Sequence, residues 1–227
     1  MKTEIFLHPF ADDFLLSDNI LIYGSGFPSQ LGNPEYFLSD DELKKYNRLK
    51  IPEQAFIQKS CRAMLKILIG KYTADIPGKI LLQTNRFGKP FLENSGLWFN
   101  VSHTNSAFII AISRKGRIGI DMEDIHLKWD IKELSDYAFS EDEKRKIHHQ
   151  EDFLKLWTMK EALLKAIGTG LTSQLPKIDT VDMIRRYELY NETFICPGGQ
   201  VATVISNVNF ERKCYLIETD EVFGTKV

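Results

Sequence analysis

The chain has 227 residues, 29 Lys and Arg against 31 Asp and Glu for a formal net charge of −2, and 43% hydrophobic residues. At about 150 residues per domain, that length suits one large domain or two small halves sharing a core, and the apolar content excludes disordered and fibrous classes. Near-neutral charge argues against a nucleic-acid coat, while Cys61, Cys196 and Cys214 are too scattered for a disulfide framework or a paired-cysteine zinc site and suit a reduced, cytoplasmic setting.

In chain order, the first segment reaches Asp12 and Asp13 before any long apolar run, so it does not read as a secretory signal. Short strands are predicted at residues 3–9 and 19–23, then a Gly/Pro/Ser/Asn-rich loop over 24–34. Helices are predicted over 40–49 and 53–72, the second with apolar residues at helical spacing. Strands follow near 80–84, 97–102, 108–113 and 118–123. The longest stretch without Lys, Arg, Asp or Glu, residues 94–113, is interrupted by Asn100, Ser102, His103, Thr104 and Asn105 and does not read as a membrane span. Helices return near 130–137, 141–148 and 152–167, the last closed by Gly168, and the tail after Thr172 reads as strands. The pattern is α+β.

Charge is balanced only in total. From Leu43 to Lys71 the net charge is +7, and from Gly119 to Asp152 it is −6. Such runs suit solvated helix faces, or equally a site whose basic half holds phosphates and whose acidic half holds a metal. An internal echo accompanies this split. Ser39 and Ser140 each precede a glutamate by three residues, Glu42 and Glu143, the capping-box spacing. Farther on, Cys61–Lys66 (CRAMLK) lies 99 residues before Lys160–Lys165 (KEALLK), a register that pairs Arg62 with Glu161. A duplication would explain the in-between length as two similar halves, residues 1–115 and 116–227.

Three segments carry candidate chemistry. Alternation in Gly119-Ile120-Asp121-Met122-Glu123 puts both carboxylates on one face of a strand. There they repel unless a cation lies between them, and a hard divalent ion such as Mg²⁺ suits oxygen ligands. In LWTMKEALLKAIGTGL, Trp157, Glu161 and Lys165 share a helix face. Its apolar remainder places that face beside a cleft. In FGKPFLENSGLWFNVSHT, Lys89 and Pro90 form a rigid basic turn, while Asn100, Ser102 and His103 offer donors suited to phosphate oxygens.

GKP, FNVSHT, GIDMED and WTMKEALLKAIGTGL, in this order and at these separations, closely resemble the signature of the 4′-phosphopantetheinyl transferase superfamily, in its larger pseudodimeric, surfactin-synthetase-activating type. The likeness covers roughly Ser39 to Leu171. It implies two similar α/β halves related by a pseudo-two-fold axis, with coenzyme A and Mg²⁺ in the cleft between them. The implied reaction moves 4′-phosphopantetheine from coenzyme A to a serine of an apo acyl or peptidyl carrier protein and releases adenosine 3′,5′-bisphosphate. By match, Asp121, Glu123 and Glu161 become Mg²⁺ ligands, and Lys165 contacts the diphosphate. Glu161 becomes the first choice for the base that takes the serine proton and Glu123 the second. Ser102 and His103 would hold phosphates of the adenosine moiety, Lys89 and Pro90 would line the adenine side, and Arg62 with Lys50 would serve the 3′-phosphate. A monomer without nucleic-acid or membrane partners is expected. Two rivals stand beside this reading: a metal-dependent phosphohydrolase acting on coenzyme A or a nucleotide, and a non-enzymatic interaction module.

Overall fold

A computed structural model describes residues 5–6, 20–26, 33–126, 130–170 and 175–216. The elements run β1 (Ile5–Phe6), β2 (Ile20–Gly26), α1 (Asp40–Tyr46), α2 (Pro52–Thr73), β3 (Gln83–Thr84), β4 (Pro90–Phe91), β5 (Trp98–His103), β6 (Ala107–Ser113), β7 (Ile118–Asp124), α3 (Ile131–Ala138), α4 (Glu141–Lys144), α5 (Gln150–Ile167), α6 (Thr180–Arg186), β8 (Tyr190–Ile195), β9 (Gln200–Ser206) and β10 (Arg212–Leu216). The architecture is mixed helix and sheet. Both capping boxes form, with Ser39 and Ser140 oxygens accepting from the amides of Glu42 and Glu143, whose carboxylates accept from the serine amides in return. Gly168 closes α5 with φ 81°, a left-handed conformation that glycine adopts without strain.

Several elements differ from expectation. Predicted strand 80–84 shrinks to β3, whose partner β4 the sequence did not disclose, and predicted helix 141–148 stops at Lys144. The tail contains α6 as well as strands, because Asp179 caps it by accepting from the amide of Asp182. Residues 24–26 continue β2, while 27–32 of the predicted loop and most of the predicted first strand lie outside the described residues.

Strands form a five-stranded sheet in the order β1-β10-β2-β6-β5, a three-stranded sheet in the order β7-β9-β8, and the β3–β4 pair. Within the larger sheet, β2-β6-β5 repeats the connectivity of β7-β9-β8: one strand, a capping-box helix, a long helix, then an antiparallel hairpin whose second strand lies in the middle. The repeat extends to detail. Ser113 and Ser206 end the two middle strands, and their hydroxyls accept from the amides two residues on, of Lys115 and Val208. Strand β10 crosses the 115/116 division, pairing in parallel with both β1 and β2.

Period-two alternation sorts each strand between two cores. On β6, Phe108, Ile110 and Ile112 pack with Ile57, Cys61, Met64, Leu65, Leu68 and Ile69 of α2, while Ala107, Ile109 and Ala111 face a second core shared with Ile118, Ile120 and Met122 of β7 and Ala202 and Val204 of β9. The sheets therefore pack face to face, with α2 and α5 outside. At their margin β5 meets β7, and the buried Asn100 carboxamide accepts from the Ile120 amide.

The odd residues of β7 face α5. At Gly119 the two elements touch so closely that an added Cβ would lie 2.0 Å from the Ala162 carbonyl oxygen and 2.4 Å from the Ala166 nitrogen. Both obstacles are backbone, so helix and strand would have to separate. Gly119→Ala is expected to cost at least the upper part of the about 1–3 kcal/mol typical of overpacking, read as a lowered denaturation midpoint. A midpoint within error of wild type would refute this contact.

Candidate active site

The close approach at Gly119 sets α5 over the two carboxylates that follow it on the same strand face. Asp121, 3% exposed, accepts through Oδ1 from Lys165 Nζ at 2.6 Å and from the Ser102 hydroxyl at 2.8 Å, and its Oδ2 is buried with no hydrogen-bond partner among the described residues. Trp157 Nε1 donates to Glu123 Oε1 at 3.0 Å. Trp157, Glu161 and Lys165 thus present one helix face to Asp121 and Glu123, as their four-residue spacing predicts.

Electrostatics follow from crowding three acids into a half-buried space. Burial first, then the Asp121 charge, pushes both Glu123 and Glu161 up to about 7, although the Trp157 hydrogen bond and Lys165 pull Glu123 down and Lys165 pulls Glu161 down. Carboxyls near this value can exchange protons at neutral pH. Burial and then the Lys165 charge hold His103 below the ordinary histidine range, against a hydrogen bond with the Thr104 backbone and the Asp121 charge. These surroundings favour the uncharged imidazole.

The orphaned Asp121 oxygen and two glutamates that resist ionising side by side are what an oxygen-seeking cation would relieve, so the donor set fits Mg²⁺. Among the described residues no three His, Cys, Asp or Glu side chains form a ready-made cage. Oxygens of substrate phosphate and water would have to complete the shell.

Other expected residues lie elsewhere. The Lys89 ammonium donates to the Ile118 carbonyl at 2.8 Å and the Lys165 carbonyl at 2.5 Å. Burial, with Arg117 and Lys165 nearby, lowers it to about 8. It ties the hairpin carrying Pro90 to the carbonyl-rich end of α5, where a cation is favoured, and Asn85 supports it by donating to the Gly168 carbonyl. Lys50 is exposed in the turn before α2. Arg62 points into the α1–α2 contact, where Nε donates to the Tyr46 hydroxyl at 3.0 Å and lies 3.5 Å from Glu42.

The direction of Arg62 follows from the repeat register. Strands β2 and β7 begin at Ile20 and Ile118, and helices α2 and α5 at Pro52 and Gln150, each 98 residues apart. Counted from those starts, Arg62 falls level with Lys160, and each reaches a capping-box glutamate: Arg62 to Glu42, which Lys66 also binds at 3.0 Å, and Lys160 to Glu143 at 2.7 Å. One residue on a helix is a turn of about 100°, enough to move a side chain from the cleft to the neighbouring helix. Sequence reasoning missed Gln58, whose side-chain nitrogen lies 2.8 Å from His103 Nε2. A mid-helix glutamine between Ile57 and Lys59 carries no motif, and only the fold brings it to β5.

Comparison with known proteins bears on this cleft directly. The profile of the 4′-phosphopantetheinyl transferase superfamily matches residues 117–202, from β7 through α5 and on into β9. The chain is 32% identical over 170 residues to 4′-phosphopantetheinyl transferase HetI of Nostoc sp., an alignment covering 69% of this chain and 72% of that protein. It is 36% identical over 141 residues to 4′-phosphopantetheinyl transferase gsp of Aneurinibacillus migulanus, covering 55% of this chain and 58% of that one. Likeness of this extent, running through the strand and helix that build the carboxylate cluster, places the chain in the 4′-phosphopantetheinyl transferase superfamily.

Proposed function

We propose that this transferase, which moves 4′-phosphopantetheine from coenzyme A to a carrier-protein serine, does so in the cleft between β7, α5 and the end of β5. The observation that carries the site assignment is Asp121, which is bound to Lys165 and Ser102 through one oxygen while the other is buried and unpartnered. Asp121, Glu123 and Glu161 would hold Mg²⁺, which when bound neutralises charge on the coenzyme A diphosphate. Glu161 takes the proton as the serine oxygen bonds to the phosphorus bearing pantetheine. The bond from that phosphorus to the bridging oxygen breaks, and adenosine 3′,5′-bisphosphate leaves with the electron pair. Lys165 lies where it can stabilise the charge gathering on the leaving diphosphate oxygen. Glu123, held by Trp157, is the second choice for the base. Ser102 and His103 face phosphates of the adenosine half, and Pro90 with Lys89 shapes the adenine side. Arg62 and Lys50 serve the 3′-phosphate only if they leave their present positions.

The repeated strand–helix–hairpin connectivity supports a pseudo-two-fold relation between residues 1–115 and 116–227. Because the halves already supply paired surfaces, the protein acts as a monomer, in the cytoplasm, on acyl or peptidyl carrier proteins. Among the described residues no helix is long and apolar enough to cross a membrane, and all three cysteines are free. The test is intact mass of apo carriers incubated with coenzyme A, MgCl₂ and enzyme. Each substrate carrier should gain one phosphopantetheine, and coenzyme A breakdown without carrier modification would favour a phosphohydrolase instead.

Proton linkage gives an independent test of the metal ligands. Folded Glu123 and Glu161 keep protons up to about pH 7, whereas the unfolded reference releases them near 4.5. The folded state thus binds more protons between those limits, and stability falls as pH rises through that window. A divalent cation favours the ionised carboxyls and opposes this fall. MgCl₂ should therefore raise the melting temperature more at pH 8 than at pH 5, and an equal rise at both would count against these ligands.

A further inference from the structure

Strand β5 ends in two polar residues that reach opposite helices. Ser102 turns to Asp121 beneath α5, whereas His103 turns to α2 and meets Gln58, the two side-chain nitrogens 2.8 Å apart. An amide nitrogen donates and cannot accept, so with the amide turned this way Nε2 is the acceptor and the neutral ring carries its proton on Nδ1, beside the Thr104 backbone that also engages the ring. A half-turn of the amide presents its oxygen instead, which accepts from the Nε2–H of a charged imidazole. Gln58 can therefore hold the ring in one orientation through both protonation states. It leaves an amide N–H beside the ring for an anion to use, in a chain segment of net charge +7 from Leu43 to Lys71.

We propose that Gln58 is a positioning residue that aims His103 at the 3′-phosphate of coenzyme A, and so sets the preference for coenzyme A over the form lacking that phosphate. This rests on the placement of His103 at the adenosine phosphates, and the experiment separates the two claims. Binding of coenzyme A and of 3′-dephospho-coenzyme A is measured by calorimetry for wild type, Gln58→Ala, His103→Ala and the double variant, with kcat for carrier modification beside it. Gln58→Ala should weaken coenzyme A about 5–10-fold, the worth of one hydrogen bond, with 3′-dephospho-coenzyme A and kcat within about twofold. On top of His103→Ala it should add nothing. Equal weakening of both ligands, or a full additive effect in the double variant, overturns the role of Gln58 while His103 keeps its own. If His103→Ala leaves the preference intact, the inference falls together with the placement of His103. Failure of wild type to modify any carrier would overturn the transferase reading, whatever the binding ratios show.

Discussion

Asp121→Asn is expected to slow carrier modification by on the order of 10²–10³-fold at saturating coenzyme A and MgCl₂, the range seen when a single preorganised electrostatic contact to a reacting group is lost. Asparagine keeps the Oδ1 that accepts from Lys165 and Ser102, so the site retains its shape while losing the charge that opposes the Lys165 ammonium. An amide nitrogen then replaces the buried, unpartnered Oδ2, turning that vacant acceptor into a donor unfit for a cation. Glu161→Gln should produce a similar loss while the Lys165–Asp121 pair survives, because the proton acceptor and one anionic metal ligand are both gone. Comparing the variants through initial rates of carrier mass gain separates these contributions. A Glu161→Gln variant with at least a tenth of wild-type activity would move the base to Glu123, whose pKa is raised to the same degree. If Asp121→Asn retained that much, the metal site itself would be wrongly placed.

How far such a site can be read from sequence depends on whether its residues are set by local periodicity or by long-range packing. Alternation along β7 is local. Asp121 and Glu123 do share one face, and Ile120 and Met122 do enter the core between the sheets. The four-residue spacing of Trp157, Glu161 and Lys165 is equally local, and it brings all three over that face. Gly119 shows where this ends. It reads as a neutral residue inside a strand, yet it fixes the distance between β7 and α5 because nothing larger fits beneath Ala162. The hairpin lysine, Lys89, reads in sequence as part of a rigid basic turn, whereas its ammonium serves carbonyls of Ile118 and Lys165, 29 and 76 residues away. Arg62 fails on register. The 99-residue echo would pair Arg62 with Glu161 at the cleft, whereas its guanidinium lies 3.5 Å from Glu42 in the α1–α2 contact, an outcome of packing between helices that local spacing does not carry. The crossing of β10 into the first sheet has no local signature at all.

Lys160→Met is expected to be the most destabilising single change in α5, at about 3–5 kcal/mol, the usual cost of removing one member of a buried ion pair. Lys160 and Glu143 have side chains 2% and 0% exposed. The ammonium donates to Glu143 and to the carbonyls of Ala138 and Leu175, and Glu143 accepts further from the Ser140 amide and from both the amide and hydroxyl of Thr180. One pair therefore joins the end of α3, the starts of α4 and α6 and the middle of α5. Burial lowers the Lys160 pKa despite the pull of Glu143, which marks desolvation as the dominant cost of keeping the pair inside. Without the lysine, Glu143 stays buried with a charge that neutral donors only partly offset, and two carbonyls lose their partner. For a chain of this size the loss corresponds to a fall of about 6–20 °C in Tm. Adding Glu143→Gln should recover part of it, because the stranded charge disappears while an oxygen for Thr180 remains. A single-variant loss below about 1 kcal/mol, the range of exposed pairs, would mean that water reaches this pair in solution. If Glu143→Gln made matters additively worse, the cost would lie in the hydrogen bonds that shape the helix junction and not in the unpaired charge.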